Sequence, residues 1–204
     1  RNWGEAVAAM PGSKTDRQKH IRGPIIVSRH GRPSLDRRAG PRLDWQEYRD
    51  WWDQYEAGSL AENQAIPDNL KQVVADADVI LSSPAPRAVE TARLASGREP
   101  ETDELFCEAP LPPPRLRNRK YLPKPWNVIA RTAWLYGHSL DGESNRQARD
   151  RAKAAAQRLH EAAETGKVYL AAHGWFNRML PGHGPARLGM RARWWRPVLE
   201  LPDL

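Results

Sequence analysis

Pro24-Ile25-Ile26-Val27-Ser28-Arg29-His30-Gly31 is a short apolar run that ends abruptly in a guanidinium, an imidazole and a glycine. An apolar stretch of this length without polar alternation reads as a strand covered on both faces, the kind that parallel sheets use. The pattern returns twice. Val79-Ile80-Leu81-Ser82-Ser83 leads into Pro84-Ala85-Pro86-Arg87, and Val168-Tyr169-Leu170-Ala171-Ala172 runs straight into His173-Gly174. Arginines and histidines therefore stand at strand exits, the edge at which α/β sheets place their ligands.

The segments between these strands read as helices. Asp44 with Glu47 three residues on is a capping-box pattern, followed by Trp45, Tyr48, Trp51, Trp52 and Tyr55 at helical spacing until Gly58. Such an aromatic stripe is expected to pack as core. A shorter helix is expected over 67–75, and another over 84–96 with proline near its start, where a missing N–H does no harm. Ser144 and Gln147 repeat the capping box ahead of an alanine-rich helix, with Ala148, Ala152, Ala155, Leu159 and Ala162 along one face and Gly166 beyond its end. Pro110, Pro112, Pro113, Pro114, Pro123 and Pro125 are expected to break any regular element between 109 and 125, giving a polyproline-like excursion.

Strand, helix, strand, helix, strand is the resulting order, which predicts a three-layer α/β/α fold around a largely parallel sheet. With no internal repeat and no second core, residues 24–204 are expected to form one domain carrying a Pro/Arg-rich insertion near 109–142. Residues 1–23, polar and basic without periodicity, read as a poorly packed arm.

Bulk composition narrows the partners. The 204 residues, 28% charged and 40% hydrophobic, are those of a water-soluble chain, and the mean hydropathy is −0.76. No stretch approaches the roughly 20 apolar residues of a membrane span, and Ala6 to Met10 is too short for a secretory core, so a cytoplasmic location is expected. The single cysteine, Cys107, excludes an internal disulfide and a cysteine-based zinc site. A formal charge of +7 favours acidic partners. Nine tryptophans could suggest base stacking, but no nucleic-acid motif accompanies them, and that reading is set aside.

Two histidines and two arginines converging on one edge suit a phosphoryl group. Attack on a phosphate ester needs a nucleophile, fixed positive charge around the phosphoryl oxygens and an acid for the departing alkoxide. His30 is the expected nucleophile, with Arg29 and the backbone beyond Gly31 holding the anion; Gly31 itself would leave room for the close approach. Arg87, in the first turn of its helix, adds a planar fork of donors matched to phosphate. His173 would stabilise charge on the transferring group. These cations make a metal or cofactor unnecessary, and His20, His138, His160 and His183 show no ligand spacing.

The ordered set Arg29-His30-Gly31, Ser82-Ser83-Pro84 to Arg87 with Glu90-Thr91-Ala92, and His173-Gly174 resembles the histidine phosphatase superfamily, the phosphoglycerate mutase-like branch 1, from Ile25 to Gly174. The resemblance implies a phosphoglycerate mutase-like fold and a phosphohistidine at His30. It implies a phosphate pocket of Arg29, Gly31, Arg87 and His173. It also implies an acidic side chain for the leaving group roughly two dozen residues past the second arginine. Glu108 fits that spacing, with Glu104 and Glu143 as alternatives. Many relatives carry an asparagine six positions after the nucleophile; here that residue is Asp36, whose carboxylate would repel a phosphate unless neutralised by Arg32, Arg37 or Arg38. After Arg178, Pro181-Gly182-His183-Gly184-Pro185 stands where a helix would continue, and Trp194 and Trp195 have no assigned place.

The expected activity is hydrolysis of a phosphomonoester, small molecule or phosphoprotein, through the phosphohistidine. A mutase of the same family and a catalytically weak phosphoester-binding protein are the alternatives. The sequence assigns neither the substrate nor the oligomeric state.

Overall fold

The computed structural model describes residues 22–140 and 142–181. Strands β1 (Ile25–Arg29), β2 (Val79–Ser82), β3 (Glu101–Thr102) and β4 (Val168–Ala172) form one sheet in the order β1-β4-β2-β3, each neighbouring pair parallel. Around it run α1 (Trp45–Ala57), α2 (Asp68–Val74), α3 (Pro86–Ser96), α4 (Pro123–Leu135), α5 (Asn145–Ala162) and α6 (Gly174–Met179), with a 3₁₀ turn at Glu104–Phe106. The mixed α/β fold expected from the strand and helix pattern is present. β3 has no apolar signature, because Glu101 and Thr102 are both exposed and the strand exists through backbone pairing with Leu81 and Ser82.

The period-two alternation of the strands sorts the core into two layers. Ile25, Val27, Leu81, Val168, Leu170 and Ala172 meet α5 on one face, together with Phe106 and Phe176. Ile26, Ile80, Tyr169 and Ala171 meet Leu70 and Val74 of α2 and Ala92 and Ala95 of α3 on the other. Both capping boxes form: Asp44 accepts from the Gln46 and Glu47 amides at the start of α1, and Ser144 from the Gln147 amide at the start of α5. The face of α5 read from the sequence is the buried one, and its alanines let the helix lie close on the sheet.

One expectation fails at Pro123 and Pro125, which open helix α4 instead of breaking it. The first four N–H groups of a helix have no intrahelical acceptor, so prolines confined to the first turn remove no bond. The amide between them is also used, since Lys124 N donates to Arg37 O at 3.0 Å. From Cys107 to Lys120 the chain does run without helix or strand.

α4 and α1 form a separate aromatic layer, with Trp126 stacked on Tyr48 at 5.3 Å between ring centroids and Trp126 Nε1 donating to Leu43 O at 2.7 Å. A two-residue bridge between Leu43 and Tyr121 pins the insertion to the loop before α1. The tryptophan stripe of α1 is thus core at Tyr48 and Tyr55, while Trp51 and Trp52 are half-buried. Among the described residues no helix is long and apolar enough to cross a membrane. Residues 1–21, and the tail from Gly182 with His183, Trp194 and Trp195, lie outside the described residues, as does His20.

Leu159 is fully buried between α5 and the sheet. Replacing it with alanine is expected to destabilise the fold by about 2–5 kcal/mol, through lost transfer energy and the residual cavity. Urea unfolding with an unchanged slope checks this.

Candidate active site

Register decides where the chemistry lies. Arg29 pairs with Ala172, and Ser82 with Ala171, so β1, β2 and β4 end level with one another. The residues that follow them, His30, Ser83 and His173, are consequently neighbours, and His30 N donates to Ala172 O at 2.9 Å. The two imidazoles lie 5.1 Å apart between ring centroids, edge to face.

Arg87 joins them. It is wholly buried, and its donors are all engaged: Nε donates to His30 Nε2 at 3.2 Å and Nη2 to His173 Nδ1 at 3.3 Å. The rest go to α1: Nη1 to the carbonyls of Tyr55 at 3.1 Å and Glu56 at 2.7 Å, and Nη2 to Glu56 Oε1 at 2.8 Å. The last turn of α1 contains no basic residue of its own, so Arg87 of α3 supplies the positive charge that its unpaired carbonyls favour. Glu56 and those carbonyls aim the guanidinium edge at the two histidines.

A guanidinium only donates, and this fixes both tautomers. His30 Nε2 and His173 Nδ1 must be lone-pair acceptors. The ring protons then sit on His30 Nδ1, which donates to Gly31 O at 2.7 Å, and on His173 Nε2, which meets Ser83 Oγ at 2.7 Å. Burial above all, then His173, Arg87 and Arg29, hold His30 well below the ordinary imidazole range. Burial and the same arginines, with Arg151, do so for His173. His30 therefore presents an unprotonated Nε2 at neutral pH, the form a nucleophile needs.

Arg29 lines the same cleft, and its Nε is buried with no hydrogen-bond partner, a donor left for an anion. It passes beside Gly174, where an added Cβ would come within 3.2 Å of the Arg29 side chain. Gly31 contributes differently from its expected role beside the anion. Its carbonyl orients His30, its amide donates to Thr91 Oγ1 at 2.9 Å, and a side chain at this position would collide with Gln64. Thr91 returns its hydroxyl to Arg87 O, and Glu90 accepts from the Leu60 amide at 2.8 Å, so the Glu90-Thr91 pair ties two loops to α3.

Of the three carboxylates considered for the leaving group, Glu108 lines the cleft. His173 is the N-cap of α6 but turns its ring into the site, and Glu108 takes the freed amides instead: Trp175 N at 3.1 Å and Phe176 N at 2.7 Å. Glu104 is exposed on the 3₁₀ turn. Glu143 forms a two-pronged ion pair with Arg151, which also bonds the carbonyls of Leu105 and Cys107, and so braces the segment that delivers Glu108. Asp36 lies outside the cleft wall: its Oδ1 accepts from Arg38 N at 2.8 Å, while Arg37 beside it lines the cleft.

Neither Glu56 nor Arg131 carries a signal in the sequence, each standing on a helix face with no motif around it. Burial pushes the Glu56 carboxyl upward, against the pull of Arg87. Arg131 lies between the rings of Trp134 and Trp175, 4.7 Å from each centroid, and burial lowers it to about 10. Among the described residues no three His, Cys, Asp or Glu side chains gather as a metal site, and His138 contacts Pro113 O.

The parallel α/β sheet has the phosphoglycerate mutase-like fold, and its strand ends bring His30 and His173 together with Arg87 beside the cleft that Arg29 and His30 line. The sequence profile of the histidine phosphatase superfamily (branch 1) matches residues 25–192, and the chain belongs to that family. Among solved structures, the open reading frame Rv3214 from Mycobacterium tuberculosis is similar at a TM-score of 0.51 and 20% identity, over 78% of this chain and 77% of that one. A mutant phosphoserine phosphatase from Entamoeba histolytica in complex with phosphoserine gives 0.46 at 20% identity, over 76% of both chains. Bacillus stearothermophilus YhfR gives 0.44 at 17% identity, over 76% of both. No curated protein sequence matches the chain.

Two buried neutral imidazoles have a cost in acid. Their native values lie below the ordinary 6.5, so the unfolded chain binds protons that the fold refuses as pH falls through that value. Stability is present above about pH 6.5 and is expected to fall below it by up to about 1.4 kcal/mol per pH unit for each histidine. Denaturant unfolding at pH 7.5 and 5.5 in phosphate-free buffer checks this, with the His30→Asn, His173→Gln double variant showing the flatter profile.

Proposed function

We propose that the chain is a metal-independent phosphomonoester hydrolase working through a phosphohistidine. The observation that carries this reading is the pair of imidazole lone pairs, His30 Nε2 and His173 Nδ1, turned onto one edge of a buried arginine. A phosphoryl group entering there takes over the Arg87 Nε and Nη2 donors, and Arg29 supplies further positive charge.

His30 Nε2 then bonds to phosphorus as the ester P–O bond breaks, and the Glu108 carboxyl gives its proton to the departing oxygen. The phosphoester monoanion passes its proton to His173 Nδ1, where its negative charge opposes the arginines that depress the ring, and the proton returns to the phosphate as it leaves. In the second half, the Glu108 carboxylate accepts a proton from water as that water attacks phosphorus. The P–N bond breaks, inorganic phosphate leaves and His30 is neutral again.

His30→Ala is expected to lower kcat on p-nitrophenyl phosphate by about 10⁴-fold or more, with substrate binding retained. Glu108→Gln is expected to cost about 10²- to 10⁴-fold on alkyl phosphates and much less on p-nitrophenyl phosphate, whose leaving group needs no proton. Alkaline quench and mass spectrometry should find a phosphoryl group on His30. Turnover surviving in His30→Ala rejects the mechanism. An isomerised substrate without released phosphate identifies a mutase, and tight binding without a phosphoenzyme identifies a binding protein.

A further inference from the structure

The phosphoryl pocket occupies one end of a cleft of about 450 Å³, a volume within the range that encloses a drug-sized ligand. Beyond Arg29, His30 and Arg87, Trp52, Leu111, Val128, Leu135 and Trp175 form an apolar part of its wall, beside polar residues that include Arg37, Arg131, Thr132 and Arg178. α4 supplies most of one wall. It already buries Trp126, Ala130 and Trp134 against the body, yet it presents Val128, 64% exposed, and Leu135, 44% exposed, two turns apart on the cleft side. Tyr136 and Leu140, which follow the helix, are also exposed, at 87% and 41%. Large apolar side chains grouped at a cleft mouth mark a surface that a ligand covers.

Several polar groups of the wall are committed to the protein, while Arg37, Thr132 and Arg178 also line it. Glu56 holds Arg87, and Glu108 holds the start of α6. Asn127 Oδ1 accepts from Tyr48 OH at 2.7 Å, and Arg131 bonds the carbonyls of Ala109 and Pro110 between its two indoles. A leaving group carrying an ammonium would meet a wall whose carboxylates, Glu56 and Glu108, are already engaged and whose other charged groups are cations, and losing water there costs affinity.

Building on the phosphatase reading of the same site, we propose that this cleft selects phosphomonoesters of extended apolar alcohols, alkyl or arylalkyl, over small polar phosphates. The phosphoryl group is held by the arginines and histidines. The alcohol lies along α4 between Val128, Leu135 and the indoles of Trp52 and Trp175.

The test is a series of ethyl, butyl, hexyl and 2-phenylethyl phosphates beside glycerol 3-phosphate and phosphoserine. All of them have alcohol leaving groups that need the same protonation, so intrinsic reactivity changes little along it. kcat/KM is expected to rise about two- to fourfold per methylene added. Val128→Asp and Leu135→Asp alter exposed side chains, and each should shrink the hexyl-to-ethyl ratio severalfold while the melting temperature holds. A flat or falling series, or preference for glycerol 3-phosphate or phosphoserine, overturns the inference while leaving the hydrolase intact. Should no ester be hydrolysed and no phosphohistidine form, the hydrolase reading fails; calorimetry with hexyl and ethyl phosphonates then decides the inference, equal affinities refuting it and tighter hexyl binding supporting it.

Discussion

The level ending of β1, β2 and β4 is the constraint on which the site depends. In a parallel sheet the pairing register is carried by backbone hydrogen bonds and by the side-chain alternation that sorts each strand between two buried layers, so a slip of one residue would turn every apolar side chain to the wrong face. The Ile25 to Val168 and Val79 to Val168 pairings therefore place His30, Ser83 and His173 side by side. Residues more than a hundred positions apart meet because the hydrophobic core of the sheet leaves them no other height.

Upon that platform, Arg87 converts proximity into orientation. It reaches β1 and β4 through the two imidazoles, and α1 through Glu56 and the helix-end carbonyls. The acceptors stand at the ends of three elements, β1, β4 and α1, so the guanidinium stabilises their mutual arrangement. The same economy appears at Glu108. Because His173 is drawn into the site, α6 lacks its own side-chain cap, and the carboxylate that replaces it is thereby fixed on the cleft wall.

The fold was legible wherever apolar period and caps agreed: the three long strands, both capping boxes and the buried face of α5. Arg29, His30, Arg87 and His173 were legible as a set because strand exits in a parallel sheet share an edge. β3 was hidden, since two exposed residues pair through backbone alone, and α4 was masked by prolines whose position within the first turn makes them harmless. Glu56 was out of reach for a different reason. Its importance comes from a contact with α3, thirty-one residues away, that no local pattern encodes. Asp36, a position singled out by comparison with relatives, uses its side chain to close its own turn, a local bond that the comparison could not reveal.

The attachment of α4 separates two properties that many binding sites entangle. The helix joins the body through Trp126, the Leu43–Tyr121 bridge and an aromatic layer that is distinct from both sheet layers. The side chains it offers to the cleft lie on its opposite, solvent-facing side. Substitutions along that side leave the strand ends and the buried arginine untouched, so the outer wall of the cleft can be reshaped independently of the cluster at the sheet edge.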